Sequence, residues 1–225
     1  MSRKPRLALA LAGALALVSA GVAVTLADEG RWDPGILALL LVLVVGADLL
    51  ELEYKRISLS GGLLGLVIAM ALLGPAQAAA LASFSNLVWI VRYRPRLPAA
   101  LANVANFATF PLVGGVVIHA VGEALNVSAA DLMFAVAVVA GFTAAHATNA
   151  FITVTAIRLV DGISMAERLK TVFVPLLPSE AAIALLASIV VYAEANLGQL
   201  ALALLIALFF LYLYLLRALL VSEQR

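Results

Sequence analysis

The sequence of 225 residues contains no cysteine and only two histidines, and charged residues make up 12% of it. Without cysteine the chain can form no disulfide, thiolate nucleophile or cysteine-ligated metal site. The scarcity of charge is more informative, because about a quarter of the residues of a soluble domain are charged. The chain also lacks a basic run of the kind that binds nucleic acid. We therefore expect neither a soluble domain nor a nucleic-acid partner.

Hydrophobic residues make up 65% of the chain, and the mean hydropathy is +1.13. A lipid bilayer accommodates such a composition, because each spanning helix needs about 20 mostly apolar residues. Charged residues or Gly/Pro punctuation separate eight apolar segments: 7–27, 35–50, 57–73, 76–91, 97 to about 121, 132–159, 172–193 and 200–221. The sequence thus predicts an all-α fold, a polytopic transmembrane helical bundle of about eight spans, as one domain over residues 1–225.

The basic residues fall in alternate loops of this eight-span arrangement. With Arg31 as the exception, they are Arg3, Lys4, Arg6, Lys55, Arg56, Arg92, Arg94, Arg96, Arg158, Arg168, Lys170, Arg217 and Arg225. Loops rich in lysine and arginine stay in the cytoplasm. We therefore expect a multi-pass protein of the cell inner membrane, with the N and C termini both cytoplasmic.

The first apolar segment has a second interpretation as a cleaved signal peptide. Val18-Ser19-Ala20 offers a small-residue cleavage site after a basic N-terminus, and cleavage would leave seven spans. The apolar run of 7–27 is longer than the usual core of a signal peptide, about 7–15 residues. A retained anchor is therefore favoured.

The loop 161–170 is amphipathic. Ile163, Met165 and Leu169 would share one helical face, with charged residues opposite, as in a short helix that lies in the membrane interface. An ordinary amphipathic linker shows the same pattern, and we favour that interpretation.

A few polar residues fall inside the apolar segments, and they are the candidate ligand-binding or switch residues. They are Asp48, Asn103, Asn106, His146, Asn149 and Glu180. Counted from the cytoplasmic ends, most of them lie at a similar depth, which predicts a polar layer in the inner half of the bundle. A pocket or a proton-sensitive switch would use such groups. Hydrogen bonds that only hold helices together are the alternative, with Glu180 paired to Arg158 as one form of it.

Two prolines precede Glu180 in the seventh segment. Pro175 and Pro178 remove backbone donors there and free carbonyl groups that could line a site. No metal-binding spacing of the two histidines, phosphate-binding loop or nucleophile triad is recognisable in the sequence. We expect neither enzymatic activity nor a cofactor or metal.

The segments that carry a family resemblance are residues 57–60, Gly74-Pro75-Ala76 to Ser85, Arg94-Pro95-Arg96, 103–110, Asn149 and the last apolar segment. The chain resembles the multi-helix membrane sensor region that precedes HD-GYP phosphodiesterase and GGDEF diguanylate cyclase domains in bacteria. The resemblance implies that the last helix leads into a cytoplasmic output domain. The 225 residues contain no HD-GYP or GGDEF residues, so we assign no cyclic-dinucleotide activity to them.

These observations favour a sensory or ligand-binding membrane module that conveys a signal to a cytoplasmic output domain or partner. Its ligand would be a small molecule. The alternative is the substrate-binding membrane subunit of a small-solute transporter of the energy-coupling-factor type. A third interpretation is a scaffold whose polar layer only holds the helices together.

The predicted topology can be tested by cysteine labelling, because the chain has no cysteine of its own. We expect an Arg94→Cys variant in intact cells to resist a membrane-impermeant maleimide, because the arginines of this turn should face the cytoplasm. A Glu123→Cys variant, in a predicted outer loop, should react. Reaction of the Arg94→Cys variant would contradict the arrangement.

Overall fold

The computed structural model describes residues 3–28, 30, 32–49, 52–54, 57–59 and 61–223. The helices are α1 (Arg3–Thr25), α2 (Pro34–Leu49), α3 (Gly62–Leu72), α4 (Pro75–Tyr93), α5 (Leu97–Leu125), α6 (Phe134–Asp161), α7 (Met165–Arg168), α8 (Val174–Leu197) and α9 (Gln199–Glu223). A π-helical turn, Leu169–Phe173, joins α7 to α8. The predicted helical bundle is confirmed. Arg31, Lys55, Arg56 and Arg225 lie outside the described residues.

Four helical segments are long and apolar enough to cross a membrane: Arg6–Thr25, Leu97–Leu125, Phe134–Leu159 and Met165–Leu197. Three shorter apolar helices cover Pro34–Leu49, Gly62–Leu72 and Gln199–Leu215. The shortest, α3, is about 16 Å long, roughly half of a hydrocarbon core. A membrane protein is thus compatible with the fold, and the count of eight spans stays a prediction.

A short β-hairpin precedes α3. Strand β1 (Leu52–Tyr54) pairs with strand β2 (Ile57–Leu59) in antiparallel register, with Leu52 opposite Leu59. The sequence-based assignment of residues 57–59 to the third spanning helix is therefore wrong. A physical reason is that Tyr54 and Ile57, which are paired in this register, are residue types that favour strands. The helix begins only at Gly62.

The linker 161–170 is also more helical than we favoured from the sequence. Gly162 ends α6 with a φ of 77°, a conformation that glycine adopts without strain. Helix α7 then continues through the π-helical turn into α8, so that Met165–Leu197 forms one long apolar segment. The seventh segment therefore begins several residues before the predicted Val172.

Helix α3 occupies the centre of the bundle, where it packs against α2, α4, α5 and α8. Almost all of its residues are buried. Glycines allow this close packing, since a Cβ atom on Gly65 would overlap Val44 of α2. Helices α5 and α6 cross just as closely, because a Cβ atom on Gly114 would lie 2.8 Å from the Ala145 Cβ atom and 3.1 Å from the Gly141 carbonyl oxygen.

Hydrogen bonds connect loops and helix ends that the charge pattern places on the outer side of the membrane. They join Gln77 Nε2 to the Ala27 carbonyl oxygen at 3.1 Å, Gln199 Nε2 to the Asp33 carboxylate at 3.0 and 3.1 Å, and Asn196 Nδ2 to the Ala130 carbonyl oxygen at 3.3 Å. The same Asp33 carboxylate accepts hydrogen bonds from backbone N–H groups at the start of α2, as an N-cap residue does. One end of α9 is thereby fixed to the start of α2.

The loop between α5 and α6 is ordered by its own side chains. The backbone N–H and the hydroxyl group of Ser128 each donate a hydrogen bond of 2.8 Å to Asp131 Oδ2. These hydrogen bonds, the backbone one first, hold the pKa of Asp131 below its usual value. The carboxylate is therefore ionised at neutral pH and keeps the loop closed.

The close crossing of α5 and α6 predicts a difference between two glycines. Gly114→Ala should lower the free energy of unfolding by about 1–3 kcal/mol, because the new methyl group would overlap α6. Gly13→Ala in α1 is the matched control, since a Cβ atom there would meet nothing within 4 Å. We expect it to be neutral or to stabilise the protein by up to about 1 kcal/mol. Thermal unfolding in one detergent measures both, and equal melting temperatures would contradict the crossing.

Candidate functional site

The candidate site lies between α6 and α8, where a histidine and a glutamate face each other. His146 Nδ1 is 3.7 Å from Glu180 Oε2, and the two side chains are 13% and 15% exposed. That distance allows attraction to a protonated histidine but is longer than a hydrogen bond. Both atoms are shielded, and neither has a hydrogen-bond partner among the described residues. A proton or a small polar group between them would therefore gain two partners.

Two phenylalanines enclose the histidine. The ring of Phe142, one turn earlier on α6, stacks on His146 with centroids 5.8 Å apart and an interplanar angle of 20°. Phe173, in the π-helical turn, contacts the same ring edge to face at 5.9 Å. The polar pair is thus set among aromatic rings, which limits the access of water and fixes the plane of the imidazole.

The backbone beside the pair is irregular. In the π-helical turn the Val174 N–H donates to the Leu169 carbonyl oxygen, five residues earlier. Pro175 and Pro178 follow in the first turns of α8, and neither can donate a backbone hydrogen bond. Such π-helical turns are frequent at functional sites. The irregular segment ends two residues before Glu180, so a change of its geometry would move the carboxylate.

Arg158 is not the partner of Glu180. Its Nη1 atom lies 3.5 Å from Met165 Sδ, on the short helix α7. The pairing between Glu180 and Arg158 that the sequence allowed is therefore wrong. His146 of α6 occupies that place, 3.7 Å from Glu180 of α8.

A second polar group joins α5 to α6. Asn106 Nδ2 donates a hydrogen bond of 2.6 Å to Asn149 Oδ1, and the Thr153 hydroxyl lies 3.3 Å from the same oxygen. Asn106 is only 4% exposed, and its own Oδ1 atom has no partner among the described residues. The Thr143 hydroxyl, also on α6, instead donates to the Val139 carbonyl oxygen of its own helix. This group resembles the helix-linking hydrogen bonds of membrane proteins.

A third polar group joins α2 to α4. The buried Ser85 hydroxyl donates a hydrogen bond of 2.5 Å to Asp48 Oδ2. The structure places Asp48 beside Gly62 at the start of α3, so that a side chain at Gly62 would overlap the carboxylate. Asp48 and Glu180 are thus held by different pairs of helices.

The remaining candidate, Asn103, lines a groove at the first turns of α5 together with Pro98 and Thr153. The six candidates therefore form separate groups on three helix pairs, with Asn103 at a surface groove. His146 and Glu180 come together as an ionisable pair. The described contacts do not join Asp48 to that pair.

Sequence reasoning missed several polar side chains that link helices. Ser19 of α1 and Thr109 of α5 share a hydrogen bond of 2.7 Å. Gln77 is completely buried, with Oε1 unpartnered among the described residues. Ser19 stands out in the sequence only as part of the alternative cleavage site, and Gln77 follows the Gly74-Pro75 turn too closely to stand out. A search for every amide and hydroxyl inside an apolar segment would have found both.

The histidine and carboxylate side chains of the candidate site are of the types that can bind a proton or a small ligand. Over the described residues, no three His, Asp or Glu side chains come together in a way that could hold a metal ion. A histidine and a carboxylate can share a proton, or can together bind a donor and an acceptor of a small ligand. The His146–Glu180 pair joins two helices, and both of its side chains are mostly buried.

No protein-family model, curated protein or solved structure matches the chain. The resemblance to the sensor regions of HD-GYP and GGDEF proteins therefore depends on the segments quoted above and stays a prediction. The chain's own polar groups are what bear on its function.

The second polar group predicts a difference between two asparagines of α5. Asn106→Leu should lower the free energy of unfolding by about 1 kcal/mol, because it removes the shorter of the two hydrogen bonds to Asn149 Oδ1 inside the bundle. Asn103→Leu is the control, because no side-chain hydrogen bond of Asn103 is found in the described part of the chain. It should leave the melting temperature in detergent unchanged. An equal loss in both variants would contradict a specific role of the Asn106–Asn149 hydrogen bond.

Proposed function

We propose that this protein is a sensory or ligand-binding membrane module in which the His146–Glu180 pair is the switch. The signal would pass to a cytoplasmic partner or output domain. The observation that carries the proposal is the approach of the two groups to 3.7 Å across α6 and α8, without a hydrogen bond, beside an irregular backbone segment.

An ionisable pair inside a membrane bundle is costly, which favours a functional role over a purely structural one. A purely structural pair would be expected to close to hydrogen-bond distance and gain the full interaction. Here His146 Nδ1 and Glu180 Oε2 both lack hydrogen-bond partners in the described residues. A proton or a small ligand that bridges them stabilises one helix arrangement over another. That differential binding is what a switch requires.

The π-helical turn is the segment that would rearrange when the His146–Glu180 pair changes its state. Its backbone hydrogen bonds are irregular, and Pro175 and Pro178 remove two more donors from the start of α8. A shift of one residue between π-helical and α-helical bonding therefore breaks few favourable contacts. Such a shift would rotate α8 relative to α6.

Helix α9 would carry the movement onward. It packs against α8 and α2. The ring of Phe209 lies where a Gly61 side chain would be, and the ring of Phe210 lies where a Gly46 side chain would be. A rotation of α8 would therefore move a helix that is already seated on α2 and on the start of α3. This is how a change at His146 and Glu180 could reach the cytoplasmic end.

Spin-label distances can test the switch in the cysteine-free chain. We would label Arg94→Cys and Glu167→Cys, which are exposed, in nanodiscs at about pH 5 and pH 8, the range in which histidine titrates. The central α3 carries no ionisable side chain, and the charged groups nearest the pair along the chain, Arg158 and Lys170, are exposed. We expect the distance distribution to change with pH.

Glu180→Gln should abolish that change, because a glutamine cannot exchange the proton. Glu123→Gln, the same substitution at an exposed position on α5, should retain it. A distribution that is independent of pH in the parent protein, or a pH response that survives Glu180→Gln, would overturn the proton-sensitive switch. Co-purification with an ATPase pair and a tightly bound solute would instead favour the transporter subunit.

A further inference from the structure

A surface groove lies between α1, α5 and α6, at the ends that the charge pattern places on the cytoplasmic side. Its volume is about 280 Å³, and its walls include Ala8 and Leu11 of α1, Ala102 of α5, and Phe151 and Leu159 of α6. A smaller groove of about 190 Å³ adjoins it and shares Pro98, Ala102 and Ala156. Alanine side chains are what keep the space between these helices open.

Polar groups are present at definite places in this apolar groove. Thr155 lines the larger groove, and its hydroxyl oxygen, which is shielded from solvent, has no hydrogen-bond partner among the described residues. The amide of Asn103 lines the smaller one. A hydroxyl group facing an apolar groove usually bonds its own helix backbone, as Thr143 and Thr148 do here. A rotation of the Thr155 side chain about χ1 would therefore turn an unpartnered hydroxyl group into the groove, where it could donate to a ligand.

The chain segment that leads into the groove wall is basic. Arg94 and Arg96 are exposed and lie four and two residues before Pro98, the first α5 residue in the groove wall. Among the residues whose side chains the structure describes, no acidic one lines either groove. Thr155 is about 6 Å along the α6 axis from Leu159 at the mouth, a depth close to that of the ester groups of a phospholipid below its phosphate.

From these three observations we infer that the groove binds one anionic phospholipid of the inner leaflet. An acyl chain fills the space between α1, α5 and α6, the Thr155 hydroxyl group donates to an ester carbonyl oxygen, and Arg94 and Arg96 bind the phosphate. The positive charge of Arg94 and Arg96 selects an anionic headgroup over a zwitterionic one. The inference depends on the predicted membrane orientation and not on the His146–Glu180 switch.

Native mass spectrometry of the full chain tests this inference. The protein would be released from mild detergent with equal amounts of phosphatidylglycerol and phosphatidylethanolamine that have the same acyl chains. We expect one bound lipid per chain and a clear preference for phosphatidylglycerol. Arg94→Gln with Arg96→Gln should reduce that preference by about fivefold for each arginine. Lys170→Gln, an exposed basic residue away from the groove, should leave it unchanged.

Filling the groove gives an independent measurement. Ala102→Phe should abolish retention of both lipids, whereas Ala120→Phe, at an exposed position of the same helix, should not. Should Ala102→Phe fail to fold, Thr155→Val keeps the shape and should lower retention of both lipids. Equal retention of the two lipids by the parent chain would overturn the inference, as would an unchanged preference in the double arginine variant. Unchanged retention in a folded Ala102→Phe variant would overturn it too.

Discussion

The enclosure of α3 is the constraint on which the rest of the fold depends. An apolar helix of about 16 Å cannot cross a hydrocarbon core alone, so its ends must be covered by other parts of the chain. Helices α2, α4, α5 and α8 surround it, and the α1–α2 loop closes over the turn that follows it. Glycines such as Gly65 and Gly114 allow the backbones to come close enough. Many large apolar side chains of α1, α8 and α9 stay exposed.

Polar side chains inside the bundle are held largely by one another. An amide or hydroxyl group inside the bundle is shielded from water, so its hydrogen bonds come from the protein, and several of them run to a neighbouring helix. Ser85 and Asp48, Asn106 and Asn149, and Ser19 and Thr109 all do this across different helix pairs. The His146–Glu180 pair differs from them, since its two facing atoms stop short of a hydrogen bond. A group that is buried and still incompletely satisfied is where binding free energy remains to be gained.

The apolar runs and the Gly/Pro punctuation predicted most helices, because the length of an apolar segment and a residue such as Pro75 act locally. The hairpin was missed because Ile57 and Leu59 are as apolar as the helix that follows, and three residues are too few to reveal an alternating pattern. The prolines before Glu180 indicated broken backbone, but a π-helical turn has no sequence signature of its own. The predicted polar layer placed Asp48 and Glu180 together because depth can be counted along a helix. Such a count does not reveal which helices pack against each other.

The hydrogen bonds between Gln199 and Asp33 have a mechanical consequence for α9. They fix the first residue of α9 to the start of α2. Farther along α9, the rings of Phe209 and Phe210 occupy the space beside Gly61 and Gly46. A helix that is anchored at its first residue resists sliding along its axis but can tilt about that residue. Because α9 is about 37 Å long, a tilt of about 10° about that residue would sweep the opposite end through roughly 6 Å. This anchoring therefore permits the far end of α9 to move sideways and opposes a movement of α9 along its axis.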